Sequence, residues 1–282
     1  ALKLFEELKK LKIKWACQGS IDIARDEKLI KLMSEAGCIE MLLGFENINI
    51  KNINVNYVDV GQGESTVLLL HGWGSNIVLF DSMISCLRDR HRVIALDMPG
   101  FGGTEEPSFA MNVDDYTDFV LEFIEKLNLK KISVAGHSFG GRVIIKMANR
   151  KLNFELDKIV LIDAAGIRPK KSLAIQIKVK TFKTARFLFE NTPLGKMYPN
   201  FINNMRKKSG SADYNMASQR MREILVKVVN EDLTNSLSSI KNKTLLIWGD
   251  KDDATPISDA HIMNKLIPNS RLVIVENTGH YS

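Results

Sequence analysis

At 282 residues, 45% of them hydrophobic and 26% charged, the chain is long enough to bury a large core, and its composition excludes a disordered, collagen-like or coiled-coil protein. No apolar run approaches the roughly 20 residues of a membrane-spanning helix, residues 1–14 are charged throughout and lack the apolar block of a signal peptide, and the three widely spaced cysteines, Cys17, Cys38 and Cys86, fit neither a disulfide framework nor a metal knuckle, so a cytoplasmic protein with reduced thiols is expected. The formal net charge of +6 is uneven: residues 1–46 balance at eight Lys/Arg and eight Asp/Glu, whereas residues 168–235 carry fourteen against five.

Residues 1–46 read as helix, short strand, helix, strand. Leu29, Leu32, Met33 and Ala36 share one face of a helix over 28–36, Gly37 stops it, and Met41-Leu42-Leu43 is a short buried strand. From Asn47 the period changes. Ile48, Ile50, Ile53, Val55, Tyr57 and Val60 fall largely on alternate positions, which predicts two strands of a half-buried ribbon, with Gly61 and Gly63 in the turn that follows. Residues 66–70 are a continuous apolar run, the pattern of a strand buried on both faces of a parallel sheet. Similar runs follow at 92–96, 131–135, 159–162, 244–248 and 271–275, with helical stretches such as 114–127 and 139–150 between them. Strand–helix alternation of this kind predicts an α/β fold, a mostly parallel sheet with helices on both faces.

One interval breaks the alternation. No core strand is legible between Asp163 and Thr244, and Pro169, Pro193 and Pro199 punctuate amphipathic, basic stretches. This is too long for a loop in a compact domain and reads as an inserted helical lid over 168–239, between core segments 47–167 and 240–282. Its basic charge reads as a solvated helical surface; attraction to anionic substrates or lipid head groups is the alternative.

The chemistry is carried by a few loops at predicted strand ends. Gly136-His137-Ser138-Phe139-Gly140 places a serine between a buried strand and a helix, where a tight, strained turn lifts it above the sheet. Such a serine needs a base. Of His71, His91, His137, His261 and His280, only His280 follows the last predicted strand in a loop at the same carboxyl edge of the sheet. His261 is expected on a helix surface and His91 at the far end of a strand. His137 is expected to point away from the site. The base needs an acid to fix its tautomer. Trp248-Gly249-Asp250-Lys251-Asp252-Asp253 offers three carboxylates, of which Asp252 is preferred and Asp253 comes next. An oxyanion would take the backbone N–H of Phe139 and that of Trp73, in the loop His71-Gly72-Trp73-Gly74, whose His71 and Gly72 are expected to contact substrate. Asp97-Met98-Pro99-Gly100-Phe101-Gly102 reads as a rigid turn at the pocket's rim.

Taken in order, these pieces together with Gly141 and Gly279-His280 resemble the α/β-hydrolase superfamily over residues 47–282. The resemblance implies an eight-stranded sheet, a lid between the sixth and seventh strands, no cofactor and no metal, and Ser138, Asp252 and His280 as nucleophile, acid and base. Serine at 138 separates the chain from the epoxide-hydrolase and dehalogenase branches, which use aspartate there. The chain ends two residues after His280, so the family's closing helix is expected to be missing. Residues 15–47 instead resemble an interior piece of a radical-SAM barrel without its cluster cysteines, and residues 1–46 are accordingly expected to be a foreign appendage.

The implied activity is hydrolysis of a small carboxylic ester or related acyl compound through an acyl-enzyme. A carbon–carbon bond hydrolase for an acidic diketone, suggested by the basic lid and by Arg142, and an acyltransferase stand as alternatives with the same triad. A ligand-binding protein that turns over little is an alternative of a different class. The expected partner is a small molecule, with no nucleic acid and no membrane-surface contact.

Overall fold

The computed structural model describes residues 2–19, 27–43, 46–168 and 216–282, together with isolated positions 181, 184, 187 and 214. The ten strands described are β1 (Trp15–Gly19), β2 (Cys38–Leu43), β3 (Glu46–Ile50), β4 (Ile53–Val60), β5 (Ser65–Leu70), β6 (His91–Leu96), β7 (Lys131–His137), β8 (Glu155–Ile162), β9 (Lys243–Gly249) and β10 (Ser270–Val275). The helices are α1 (Leu2–Leu11), α2 (Glu27–Glu35), α3 (Asp81–Leu87), α4 (Val113–Lys126), α5 (Phe139–Met147), α6 (Gln219–Asn230) and α7 (Ile257–Leu266).

Eight strands form one sheet in the order β10-β9-β8-β7-β5-β6-β4-β3. The ribbon β3–β4 and the pair β4–β6 are antiparallel, and every other neighbouring pair is parallel. This is the mostly parallel eight-stranded sheet expected from the sequence. The strands run longer than their apolar runs suggest: β8 begins at Glu155, ahead of the run at 159–162, because ladder hydrogen bonds to β7 continue past the hydrophobic residues.

The alternation along each strand divides the core in two. Leu68 and Leu70 of β5, Ile94 and Leu96 of β6, and Ile132 and Val134 of β7 face the larger cluster, which α4, α5 and α6 cover with Phe119, Phe123, Val143, Ile144 and Ile224. Leu69, Val93 and Ala135 face the other side, packed on Ile77, Phe80 and Ile84 from α3 and the short 3-10 helix before it. Each side chain of this size that is fully removed from water stabilises the fold by roughly 1.5–3 kcal/mol, and the two-sided burial explains why the central strands read as largely apolar runs without strict alternation. Helix α4 starts on a capping box in which Asn112 Oδ1 accepts from Asp115 N–H at 2.9 Å and Asp115 Oδ2 accepts from Asn112 N–H at 2.8 Å.

Strand β5 lies between β6 and β7, so the chain moves outward in one direction after β5 and returns past it to reach β7. The carboxyl ends of β5 and β7 flank this switch point, where a crevice opens in sheets of this type. Of the expected lid, α6 and a 3-10 helix at Thr234–Ser239 are described; most of the remainder lies outside the described residues. Helix α6 buries Met221, Ile224, Leu225 and Val228 and is capped by Ser218. At the N-terminus, β1 and β2 pair in parallel around α2, and Phe5, Met33 and Ala36 form a separate small cluster. Among the described residues, no helix is long and apolar enough to cross a membrane.

Candidate active site

Ser138 sits between the end of β7 and the first residue of α5 with φ +48° and ψ −107°. A residue with a Cβ pays about 1–3 kcal/mol for such a backbone, and surrounding bonds must hold it there. Ser138 N–H donates to Ile162 O at 3.0 Å, and Ser138 O accepts from Gly141 N–H at 3.0 Å and Ala165 N–H at 2.9 Å. The turn is tight enough that a Cβ on Gly140 would stand 2.1 Å from the Leu70 carbonyl oxygen, so only glycine lets α5 approach β5 this closely. Phe139 opens α5, and its N–H therefore has no acceptor within the helix.

His280 and Asp252 arrive on the neighbouring loops. Lys251 N–H donates to Thr278 O at 2.9 Å and Asp250 N–H to Val275 O at 3.2 Å, which knits the loop after β9 to the loop after β10. His280 Nε2 lies 2.9 Å from Ser138 Oγ, and His280 Nδ1 lies 2.8 Å from Asp252 Oδ2. A carboxylate only accepts, so Nδ1 carries the proton and Nε2 is left as the acceptor facing the serine hydroxyl.

The surroundings of Asp252 distinguish it from Asp253. The Asp252 side chain is fully buried, whereas Asp253 is exposed. Asp252 Oδ1 accepts from the N–H groups of Ala254 at 2.8 Å and Thr255 at 2.9 Å, and Oδ2 accepts from Thr255 Oγ1 at 2.7 Å as well as from His280. Burial works to raise the Asp252 carboxyl, but the bonds from His280 and Thr255 outweigh it and hold the group below the usual carboxylate range. Fully buried Trp248 donates from Nε1 to Thr255 O at 2.7 Å and so fixes this turn to β9.

The glycine-containing loop after β5 lies beside Ser138. A Cβ on Gly72 would stand 2.6 Å from His137 Nδ1 and 3.3 Å from Ser138 Cβ. Trp73 is partly exposed, with its ring edge-to-face against Phe101 at 4.9 Å and Phe139 at 5.7 Å between centroids. His71 departs from expectation. Its ring is fully buried, with Nδ1 2.7 Å from Gly72 O and Nε2 accepting from Met98 N–H at 2.9 Å. Both nitrogens are occupied inside the protein, so the imidazole acts as a brace between two loops, not the substrate-contacting group expected. Burial pushes it well below the ordinary histidine value, against the opposing pull of Gly72 O and Asp97.

His137 departs from expectation as well. Its ring turns toward the loop that carries His280, with Nε2 2.6 Å from His280 O. His91 lies at the start of β6, 2.5 Å from Ser65 Oγ, and His261 is exposed on α7, as expected. Asp97 is structural: it accepts from the N–H groups of Ile77 at 2.8 Å and Gly103 at 2.7 Å and from Asn56 Nδ2 at 2.7 Å. Arg142 is buried and donates from Nη1 to Glu231 O at 2.7 Å, with burial pushing its guanidinium down to about 10. It ties α5 to the segment after α6, which removes the reason for assigning it an acidic substrate.

Two further residues escaped the sequence reading. Thr255 is signalled only by its place three residues after Asp252. Asp163 directly follows β8 with φ +43° and is fully buried. Its Oδ1 accepts from Gly249 N–H at 2.9 Å, and its Oδ2 accepts from the Ser282 N–H at 3.0 Å and hydroxyl at 2.8 Å. It thereby holds the turn before Asp252 and the residues after His280 to the same strand end.

This fold, with its topological switch point beside β5 and its strained serine turn, defines an α/β hydrolase. The chain belongs to the alpha/beta hydrolase fold family, whose model matches residues 65–282. It is similar to the AB hydrolase superfamily protein YisY of Bacillus subtilis, at 28% identity over 79% of this chain and 87% of that one. It is also similar to the monoacylglycerol lipase ABHD6 of Bos taurus, at 25% identity over 76% of this chain and 69% of the other. Among solved structures it resembles a bacterial membrane phospholipase A described as a virulence factor, with a TM-score of 0.63 and 25% identity over 84% of this chain and 79% of that one.

Proposed function

We propose that the protein is a serine hydrolase that cleaves a small carboxylic ester or related acyl substrate through an acyl-enzyme. The observation that carries this reading is the continuous relay at 2.9 Å and 2.8 Å from Ser138 Oγ through His280 to Asp252. Similarity to a monoacylglycerol lipase and to a phospholipase A structure adds support.

In this mechanism Ser138 attacks the substrate carbonyl carbon while His280 Nε2 takes the hydroxyl proton. Asp252 stabilises the resulting imidazolium without taking its proton. The N–H groups of Phe139 and Trp73 receive the oxyanion. Collapse of the tetrahedral intermediate breaks the acyl–oxygen bond, and His280 returns the proton to the leaving alkoxide. Water then repeats the sequence on the acyl-Ser138 and releases the carboxylic acid. The reaction needs a small-molecule substrate and no cofactor, and residues 168–239 act as the lid that selects it.

The test is hydrolysis of short p-nitrophenyl esters by the wild-type chain and by Ser138→Ala, together with labelling by a fluorophosphonate probe. Turnover and labelling that disappear in Ser138→Ala are expected. Turnover that survives the substitution refutes Ser138 as nucleophile, and failure of the wild type both to turn over and to label favours a passive binding protein.

A further inference from the structure

His137 and Ser138 are consecutive, yet both reach residue 280. Ser138 Oγ meets the His280 ring at 2.9 Å, and His137 Nε2 meets the His280 carbonyl oxygen at 2.6 Å. A carbonyl oxygen only accepts, so His137 must be the Nε2–H tautomer and the donor. Its other nitrogen, Nδ1, is buried with no hydrogen-bond partner among the described residues and lies against Gly72, where any side chain would intrude. Burial further disfavours the protonated ring. The ring also packs at 4.8 Å from the His280 ring and stacks on Tyr281 at 5.1 Å and 21°. One neutral imidazole therefore touches the loop that carries Trp73, the nucleophile's own turn and both residues at 280 and 281.

We propose that His137 is a positioning residue whose Nε2–H fixes the backbone of residue 280 and thereby aims the His280 ring at Ser138. The inference rests on the reading of Ser138 and His280 as nucleophile and base. The reason for a large effect is geometric. His280 stands on a loop beyond the last strand, and a ring on a loop swings when its backbone shifts. Proton transfer requires the 2.9 Å contact with Ser138 to persist. Anchoring the carbonyl of the same residue from the adjacent position in the nucleophile turn makes the two reacting groups move together.

The test compares His137→Gln, which keeps an N–H donor, with His137→Met, which has similar length and none. With p-nitrophenyl butyrate, His137→Met is expected to lose about 10- to 100-fold in kcat while KM stays within about twofold, and His137→Gln is expected to regain most of the loss. Wild-type kcat in His137→Met, or equal losses in two folded variants, overturns the proposal. A second readout does not depend on turnover. In protein carrying 15N-labelled histidine, His137 should be the neutral Nε2–H tautomer near pH 7, and His137→Met should displace the His280 ring resonances while His137→Gln leaves them in place. An Nδ1–H tautomer at His137, or His280 resonances that ignore His137→Met, also overturns it. Absence of Ser138-dependent turnover in the wild type defeats the hydrolase reading by itself, and the histidine spectra then decide whether His137 orients residue 280.

Discussion

Replacing Asp252 with Asn tests the proposed relay most directly, because the surroundings dictate how the amide must sit. Oδ1 receives two backbone N–H groups, from Ala254 and Thr255. An amide nitrogen placed there would oppose both donors, so the amide oxygen takes that position. The amide NH2 then occupies the Oδ2 position, 2.8 Å from His280 Nδ1. It can only donate, so Nδ1 must become the acceptor and the His280 proton moves to Nε2. The ring then offers Ser138 a donor in place of a base. The side chain keeps its shape and the bonds at Oδ1, so the fold should persist while kcat falls about 10⁴-fold, equivalent to about 5.4 kcal/mol of activation free energy. Steady-state hydrolysis of a p-nitrophenyl ester, with circular dichroism to verify folding, measures this. Asp253→Asn is the control, because Asp253 is exposed and should leave kcat within about twofold. Turnover of Asp252→Asn within about tenfold of wild type refutes the tautomer argument, and a large loss in Asp253→Asn moves the role to that residue.

Asp163→Ala should leave the buried Gly249 N–H without its acceptor and free Ser282, costing about 1–3 kcal/mol in urea unfolding; an unchanged midpoint argues that the site rearranges around the loss. Gly140→Ala drives a methyl against the Leu70 carbonyl and should destabilise by about 1–3 kcal/mol as α5 is pushed off β5, and a variant as stable as wild type contradicts the close approach. Stability should fall on acidification through the ordinary histidine range. His71 and His137 are both held below their unfolded values by burial, so below about pH 6.5 the unfolded chain takes up protons that the folded chain refuses. The slope is up to about 1.4 kcal/mol per pH unit for each histidine. Urea midpoints at about pH 7.5 and 5.5 read it, and a flat or rising profile refutes the burial argument.

Why some of the molecule is legible in its sequence and some is not follows from the range of the forces involved. The largely apolar runs at 66–70, 92–96 and 131–135 announce central strands because consecutive residues such as Leu68 and Leu69, Val93 and Ile94, and Val134 and Ala135 are buried on opposite faces of a parallel sheet. The ribbon β3–β4 shows in its alternation, and Gly-x-Ser-x-Gly shows the strained turn because only glycine tolerates the approach of Leu70 O to residue 140. These are local constraints, satisfied by neighbouring residues, and local sequence records them. The start of β8 at Glu155 left no such trace, because it depends on hydrogen bonds to another strand and not on hydrophobicity.

Within the site, the sequence determined that a serine, a histidine and an acidic cluster each end a separate strand, and strand order at the carboxyl edge does the rest. It ranked Asp252 ahead of Asp253 only by distance from the strand-ending Gly249, since adjacent carboxylates have nearly the same local pattern. Tertiary structure separates them through burial and the bonds from Ala254, Thr255 and His280. It likewise turned His71 into a brace, Arg142 into a tie and His137 toward residue 280. The direction of a side chain and the partner it meets are set by residues distant along the chain. His137 and His280 are 143 positions apart, and although their loops are expected at one edge of the sheet, no pattern at either end announces that the His137 ring meets the carbonyl of residue 280.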